Sequence, residues 1–272
     1  MSAYLRYTIR REDVPIQGEP LATTFYEPEK SRADVVLVHG FTGSKEDFVV
    51  VAGLLAESGF RVLTFDNRGQ HESSHSLRHD AYSLESLGRD NVEISQHFNL
   101  NKPHILGHSF GGLITQQAVL LAPDYWSSFT LFCSGPGGQS GWMNDPQYQN
   151  LTNQTKAQIW QEILAPQREG DPRIDLLKKR WLASDAVATL AYREHLLNQP
   201  SQITALSKLN IPSHVVYGEK DDRWSPKIQN EMARELQSQV TILPNCGHNP
   251  NEENPQLTTQ KLSAYWDQLT YF

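Results

Sequence analysis

The sequence predicts an α/β fold with a mostly parallel central sheet, and three observations lead to that prediction. Its 272 residues are enough for one large domain, or for one domain that carries an insertion. Short runs rich in β-branched residues alternate with longer amphipathic segments, which is typical of parallel strands joined by crossover helices. Residues from about 137 to 206 interrupt this alternation, because they contain helical patterns and no convincing strand pattern.

The individual elements follow from local patterns, taken in chain order. Residues 34–39 (DVVLVH) are almost continuously apolar, as expected for a strand buried on both faces. Ser44 and Asp47 have the spacing of a capping box at the start of a helix, and Gly59 ends that helix. The predicted strands are 4–10, 21–26, 34–39, 61–65, 103–106, 129–134, 214–217 and 240–243. The predicted helices are 44–58, 83–99, 109–122, 155–164, 174–183, 185–197, 227–236 and 255–269.

These elements predict a core in two parts of the chain with a helical insertion between them. Residues 1–136 and 207–272 form the core, with helices on both faces of the sheet, and residues 137–206 form the insertion. The first two strands, 4–10 and 21–26, are expected to form an antiparallel hairpin at one edge.

Composition narrows the range of functions. The net charge of −7 argues against a nucleic-acid partner, because phosphate binding needs clustered Lys and Arg. The mean hydropathy is −0.52, and no apolar run reaches the roughly 18 residues that a membrane span needs. The N-terminus lacks a secretory pattern, and two cysteines cannot supply a disulfide framework, so we expect a cytoplasmic protein. The sequence does not indicate an oligomeric state.

The strongest chemical signal is the segment Gly107-His108-Ser109-Phe110-Gly111, which is followed by Gly112. It lies where a predicted strand turns into a predicted helix, and this is the context that a G-x-S-x-G nucleophile elbow requires. The small residues permit a sharp turn that places the Ser109 hydroxyl at the positive end of a helix dipole. A glycine-rich turn with an incidental serine is the alternative interpretation.

A serine nucleophile needs a base and an orienting acid, and both follow it in the chain. Asp221 and Asp222 come directly after the strand 214–217, and His248 follows the strand 240–243. Carboxyl ends of parallel strands meet at one edge of a sheet, so both loops are expected beside Ser109.

A glycine-lined turn, His39-Gly40-Phe41-Thr42-Gly43, leaves the first buried strand. Backbone N–H groups exposed there can stabilise an oxyanion. The N–H groups of Phe41 and Phe110 are the expected donors, and an ordinary strand-to-helix turn is the alternative.

The segment His71-Glu72-Ser73-Ser74-His75 matches the H-E-x-x-H zinc signature. That motif binds metal only on a helix, where its two histidines share a face. Here it follows a strand in a serine-rich loop, so we predict a solvated loop and no metal site. Asp66 and Arg68, just before it, are expected to form a local ion pair.

Taken together, the motifs VLVHGFTGS (36–44), VLTFDNRGQHES (62–73), ILGHSFGG (105–112), VVYGEKDD (215–222) and NCGH (245–248) resemble the α/β-hydrolase fold superfamily over nearly the whole chain. The insertion is similar to the helical cap of that family. The resemblance implies Ser109 as the nucleophile, His248 as the base, and Phe41 and Phe110 as oxyanion donors. Family spacing from the strand-ending glycine selects Asp221, which we predict as the acid, whereas spacing back from Pro226 leaves Asp222 as the alternative.

The resulting hypothesis is a cofactor-independent serine hydrolase that cleaves a carboxylic ester of a small or medium hydrophobic acid. Thioester or C–C bond hydrolysis on the same residues remains an alternative, as does a non-catalytic protein that binds a small molecule. The acidic net charge disfavours anionic substrates, and no dinucleotide or phosphate-binding loop is present. The aromatic residues of the insertion that are candidates to line the pocket are Trp142, Tyr148, Trp160, Trp181 and Tyr192.

Overall fold

The computed structural model describes residues 6–138 and 154–269. Eight strands form one sheet in the order β1-β2-β4-β3-β5-β6-β7-β8. β1 and β2 are antiparallel to each other, β2 is antiparallel to β4, and all other neighbours are parallel. The strands are β1 (Tyr7–Ile16), β2 (Glu19–Pro28), β3 (Ala33–Val38), β4 (Phe60–Phe65), β5 (His104–His108), β6 (Ser128–Phe132), β7 (Ser213–Gly218) and β8 (Gln239–Leu243). The predicted fold class is therefore confirmed.

Ten α-helices connect or cover these strands within the described residues. They are α1 (Val49–Glu57), α2 (Leu84–His97), α3 (Phe110–Leu121), α4 (Lys156–Ile159), α5 (Ile174–Ala183), α6 (Ala186–Asn198), α7 (Ile203–Leu206), α8 (Pro226–Leu236), α9 (Pro250–Glu253) and α10 (Pro255–Leu269). α1 packs against α10, α2 packs against α3, and α7 contacts both α3 and α8. None of the described helices is long and apolar enough to cross a membrane.

The burial of each strand follows its place in the sheet. β3, β5, β6 and β7 lie in the middle and are buried almost throughout, which accounts for their continuous apolar runs. β8 is an edge strand and leaves most of its residues exposed. The described residues between β6 and β7 contain helices and no strand, and five of them form a separate apolar cluster: Ile159, Trp160, Leu164, Leu177 and Trp181.

The N-terminal hairpin is longer than the sequence pattern predicts. β1 and β2 pair over ten residues each, joined by Gln17 and Gly18 with φ of 53° and 81°. Positive φ at both central positions matches the right-handed twist of the flanking strands. Gln-Gly is a weak turn signal, so the sequence analysis missed the second half of β1.

The predicted helix 44–58 divides into two parts. A 3₁₀ turn over Lys45–Phe48 precedes α1. The backbone N–H of Lys45 donates to Asp66 Oδ1 at 2.8 Å, and the N–H of Ser44 donates to Asp47 Oδ2 at 3.2 Å. These contacts hold the first turn against the end of β4.

The predicted pairing of Asp66 with Arg68 is wrong. The Lys45 ammonium lies 2.8 Å from Asp66 Oδ2, whereas the fully buried Arg68 pairs with Asp90 at 2.7 Å and also with Glu19. Side chains two residues apart in a loop can point in different directions. Here each of the two charged side chains pairs with a residue on another element.

Replacing Asp90 tests the importance of the buried ion pair. Asp90→Ala leaves the buried Arg68 guanidinium with Glu19 as its remaining carboxylate partner, and the free energy of unfolding should fall by about 3 kcal/mol. The control is Glu85→Ala, which removes an exposed partner of Arg89 and should cost about 1 kcal/mol or less. Urea denaturation measures both, and equal losses would contradict the prediction.

Buried histidines should make folding sensitive to acid. Burial lowers the pKa of His104 and of His214 to about 4. A histidine in the unfolded chain has a pKa of about 6.5. Between about pH 6.5 and about pH 4, the unfolded state therefore binds a proton that the folded state does not, and the free energy of unfolding decreases as the pH falls through this range. The free energy of unfolding should be lower at about pH 5 than at about pH 7.5, and in His104→Gln this difference should be smaller than in the wild type by about 2 kcal/mol. Denaturation curves at the two pH values measure this, and an unchanged loss would refute it.

Candidate active site

Ser109 occupies a sharp turn between β5 and α3. Its φ of 54° is unusual for a residue with a side chain. The Ser109 N–H donates to the Phe132 carbonyl at 2.9 Å, and the Ser109 carbonyl accepts from Ser134 Oγ at 2.7 Å. A backbone of this kind costs of order 1–3 kcal/mol and persists only where its surroundings hold it.

Two glycines make the turn possible because backbones approach closely around it. A Cβ on Gly107 would lie 2.2 Å from the carbonyl oxygen of Gly111, and a Cβ on Gly111 would lie 2.3 Å from that of Val38. Neither obstacle is a flexible side chain, so only glycine fits at these positions.

Three loops bring a hydroxyl, an imidazole and a carboxylate into one row. His248 Nε2 lies 3.0 Å from Ser109 Oγ, and His248 Nδ1 lies 2.9 Å from Asp221 Oδ1. The three residues follow β5, β8 and β7, so they meet at the carboxyl edge of the sheet. A carboxylate only accepts, so Nδ1 carries the imidazole proton and Nε2 accepts from the Ser109 hydroxyl.

Asp221 is fully buried and held at both oxygens. Besides His248, Oδ1 accepts from the backbone N–H of Arg223 at 2.9 Å, and Oδ2 accepts from Gln229 Nε2 at 3.0 Å. Burial alone would raise the pKa of Asp221, but the hydrogen bond and charge of His248, together with the other donors, lower it. The side chain is therefore a carboxylate at neutral pH.

Asp222 has a different position. Its side chain is 73% exposed and lies 3.4 Å from the guanidinium of Arg223. Of the two adjacent aspartates, Asp221 is the one that contacts His248.

The turn 39–43 lies directly against Ser109, since a Cβ on Gly40 would come within 3.1 Å of the Ser109 Cβ. His39 is buried, and burial lowers its pKa. Its Nε2 accepts from the N–H of Asn67 at 3.0 Å, so Nδ1 donates to the Gly40 carbonyl at 2.9 Å. Phe41 lines the cavity in front of Ser109.

Phe110 follows Ser109 as the first residue of α3. Its ring is buried and packs 4.8 Å from the ring of Tyr192. Phe110 is therefore anchored by its side chain, while its backbone lies at the N-terminus of the helix.

Sequence reasoning missed His108 and Gln229, which contact the His248 carbonyl oxygen and the Asp221 carboxylate, respectively. His108 Nε2 lies 2.8 Å from the carbonyl oxygen of His248 and must carry a proton, because a carbonyl only accepts. Burial and the nearby His248 lower the pKa of His108 to about 4, so it is neutral near pH 7. The position of His108 next to Ser109 in the sequence was a signal for it, whereas nothing in the pattern of α8 distinguished Gln229.

A cavity of about 200 Å³ opens in front of Ser109 and His248. The predicted aromatic residues Trp160 and Trp181 line it, together with Leu164 and Leu177. Tyr192 does not, because it is buried with its hydroxyl on the Arg68 carbonyl. The other two predicted aromatics, Trp142 and Tyr148, lie outside the described residues.

The cavity is more polar and more cationic than the sequence analysis expected. Four arginines line it: Arg168, Arg173, Arg180 and Arg223. Two carboxylates also line it, and each is paired across the cavity: Asp47 with Arg180, and Glu252 with Arg173. These two ion pairs join the helical segment to the loops of the core.

The H-E-x-x-H segment lies in a loop, as the sequence analysis predicted, but the loop is not solvated throughout, because His71 and Ser73 are buried. His75 Nε2 is 3.0 Å from the carbonyl oxygen of Ala183. His71 instead approaches Glu46 and Glu72, each at 3.8 Å. The Lys45 ammonium lies 3.2 Å from Glu46 and 2.8 Å from Glu72, so it would repel a metal cation there.

A second group of potential ligand atoms brings Cys133 near His108 and His248. Burial raises the pKa of the Cys133 thiol well above its usual range. Metals bind the thiolate, and burial disfavours that form at this position.

Comparison with known proteins assigns the family. A model of the α/β hydrolase fold matches residues 35–255. The chain belongs to the α/β-hydrolase fold family. It is also similar to 2-succinyl-6-hydroxy-2,4-cyclohexadiene-1-carboxylate synthase of Enterobacter sp. (strain 638), with 24% identity over 233 residues that cover 81% of this chain and 86% of that protein.

Solved structures support the same fold for this α/β-hydrolase. A carboxylesterase structure from Nitrososphaera gargenis superposes with a TM-score of 0.79 at 20% identity, covering 96% of this chain and 99% of the other. The enol-lactonase of Burkholderia xenovorans LB400 also gives 0.79, at 16% identity, covering 94% and 100%. At these identities the likeness concerns the fold.

The hydrogen bond from His108 should position the His248 loop. His108→Leu removes the donor and leaves the His248 carbonyl without it, so the loop should shift and kcat for hydrolysis should fall about tenfold. His108→Gln retains a donor and should recover part of the loss. Steady-state kinetics of both variants measure this, and a change in KM alone would contradict it.

Proposed function

We propose that the protein is a cofactor-independent serine hydrolase that cleaves an acyl bond. Ser109 is the nucleophile, His248 the general base and Asp221 the orienting acid. The observation that supports this assignment best is the unbroken row of hydrogen bonds, 3.0 Å from Ser109 Oγ to His248 Nε2 and 2.9 Å from His248 Nδ1 to Asp221 Oδ1.

In the first half of the reaction, Ser109 Oγ attacks the acyl carbonyl while its proton moves to His248 Nε2. Asp221 accepts from Nδ1, which keeps the imidazole in the required tautomer and offsets the charge that forms on it. His248 then protonates the leaving group as its bond to the acyl carbon breaks. The product of this half is an acyl ester on Ser109.

In the second half, His248 takes a proton from water as the water oxygen attacks the acyl-enzyme. The tetrahedral intermediate collapses, the Ser109 oxygen regains its proton from His248, and the free acid leaves. One histidine thus acts as base and then as acid in both halves.

The N–H groups of Phe41 and Phe110 are the oxyanion donors in this proposal. Gly40 lies against Ser109, which brings the following peptide close, and Phe110 begins a helix of twelve residues whose dipole favours negative charge at that end. Two donors of this kind typically contribute a factor of ~10²–10³ each to the rate.

Residues 137–206 form a cap over the site in this proposal. Its described part supplies Trp160, Leu164, Leu177 and Trp181 to the cavity, so these side chains help to select the substrate. The apolar wall suits the chain of a small or medium acid, and a carboxylic ester is the first candidate substrate.

A second candidate applies the same residues to a thioester or to a C–C bond. It is supported by the Enterobacter relative, which is named a synthase and not an esterase. A panel of p-nitrophenyl esters of graded chain length, beside a thioester and a β-diketone, separates these reactions. A non-catalytic binding protein would fail to react with a fluorophosphonate at Ser109.

Replacing the nucleophile tests the proposal directly. Ser109→Ala should lower kcat for an activated aryl ester by roughly 10⁶-fold, because the acyl-enzyme can no longer form. Ser58→Ala is the matched control, since Ser58 ends α1 at the surface and donates to the Leu54 carbonyl. Undiminished hydrolysis by Ser109→Ala would reject the assignment.

The two aspartates should differ sharply. Asp221→Asn should lower kcat by about 10⁴-fold, because an amide donor favours the wrong imidazole tautomer. Asp222→Asn changes an exposed side chain, and kcat for an uncharged ester should stay within about twofold. The reverse result in the same esterase assay would identify Asp222 as the acid.

A further inference from the structure

The charge of the cavity differs in sign from the charge of the whole protein. The chain carries a net charge of −7, yet the described residues that line its site cavity include four arginines and two carboxylates, Asp47 and Glu252. Among these described residues, the positive charges outnumber the negative ones by two. A local field of this kind attracts anions even when the molecule as a whole is acidic.

The lining carboxylates are already engaged. Arg180 donates to Asp47 and Arg173 donates to Glu252, and Arg173 also holds Asp171 at 3.0 Å. These contacts commit two of the guanidinium groups to holding the helical segment against the core. Asp47 and Glu252 therefore pair with two of the four arginines inside the cavity, while Asp171 and Asp222 contact Arg173 and Arg223 from outside its lining.

Arg223 lines the cavity beside Ser109 and His248, and its backbone is anchored to Asp221. Its backbone N–H donates to Asp221 at 2.9 Å, so the residue is anchored two positions after the proposed acid. Its side chain is 35% exposed and lies 3.4 Å from Asp222, which is 73% exposed. An exposed pair of this kind contributes little, so a substrate anion can take the place of Asp222.

Resting on the proposed hydrolase function, we propose that the substrate carries a carboxylate in addition to its scissile acyl bond, and that Arg223 binds this carboxylate while Ser109 attacks. Guanidinium presents two parallel N–H groups that match a carboxylate. The apolar wall of Trp160 and Trp181 accommodates the carbon chain between the two ends. The preferred substrate is thus an acidic ester rather than the neutral ester expected from net charge.

Matched substrates test the proposal on the acyl side and on the leaving-group side. Mono-p-nitrophenyl adipate is compared with p-nitrophenyl hexanoate, and 4-acetoxybenzoate with its methyl ester. We expect kcat/KM to favour the acid by about tenfold or more in at least one pair, and added salt to reduce that preference. The pair that shows it identifies which side of the ester carries the carboxylate.

Substitution of Arg223 assigns the preference to this residue. Arg223→Gln should reduce the acid-to-neutral ratio of kcat/KM about tenfold, and Arg223→Lys should retain part of it as a point charge without the planar fork. Arg89→Gln is the matched control, because Arg89 lies on α2 and pairs with Glu85 at the surface. An unchanged ratio in Arg223→Gln, or a wild type that prefers the neutral ester in both pairs, would overturn the proposal.

A binding measurement separates this inference from the hydrolase assignment. Monomethyl adipate is titrated into wild type, Ser109→Ala and the Ser109→Ala/Arg223→Gln double variant by calorimetry. If the ligand binds to wild type and to Ser109→Ala but not to the double variant, and the wild type hydrolyses no ester, the anion site is supported and the hydrolase assignment is rejected. If the wild type hydrolyses esters in a way that depends on Ser109, but shows no acid preference and no binding of the ligand, the hydrolase assignment is supported and the anion site is rejected.

Discussion

The structure depends on one close approach of backbones beneath Ser109. The peptide at Gly111 passes so near to Gly107 and to Val38 that neither glycine tolerates a side chain. This contact locks the end of β5 to the start of α3 and forces Ser109 into a left-handed conformation. The hydrogen bonds to Phe132 and from Ser134 hold that conformation, so the hydroxyl points out of the sheet and toward the cavity. The Ser109 hydroxyl is thus positioned by main-chain packing.

The parallel sheet then brings the remaining groups to the same edge. β7 and β8 pair in register beside β5 and β6, so the loops that leave them end next to the Ser109 turn. Asp221 is buried beneath this edge, and its four donors compensate for the loss of water that burial entails. His108 adds a hydrogen bond to the His248 carbonyl, which connects His248 to the strand that precedes Ser109.

Ionic contacts between the helical segment and the core shape the space in front of that edge. Arg180 reaches Asp47 in the turn after β3, and Arg173 reaches Glu252 just beyond His248. The helical segment is therefore attached at two points around the cavity, while its own apolar cluster of Ile159, Trp160, Leu164, Leu177 and Trp181 forms the wall. Apolar residues define the shape of the site, and four arginines are among the described residues that line it.

The sequence by itself determined the fold class, the strand order along the chain and the three loops that meet, because alternating apolar patterns and strand-end motifs are local properties. It also identified Ser109 and His248 as neighbours, since both follow parallel strands. Only the tertiary structure showed that Asp221, and not Asp222, contacts His248, and it separated Asp66 from Arg68. Adjacent residues in a loop point in different directions, and contacts with distant elements select which one faces the site. The cationic cavity escaped prediction for the same reason, because its arginines come from separate loops and helices.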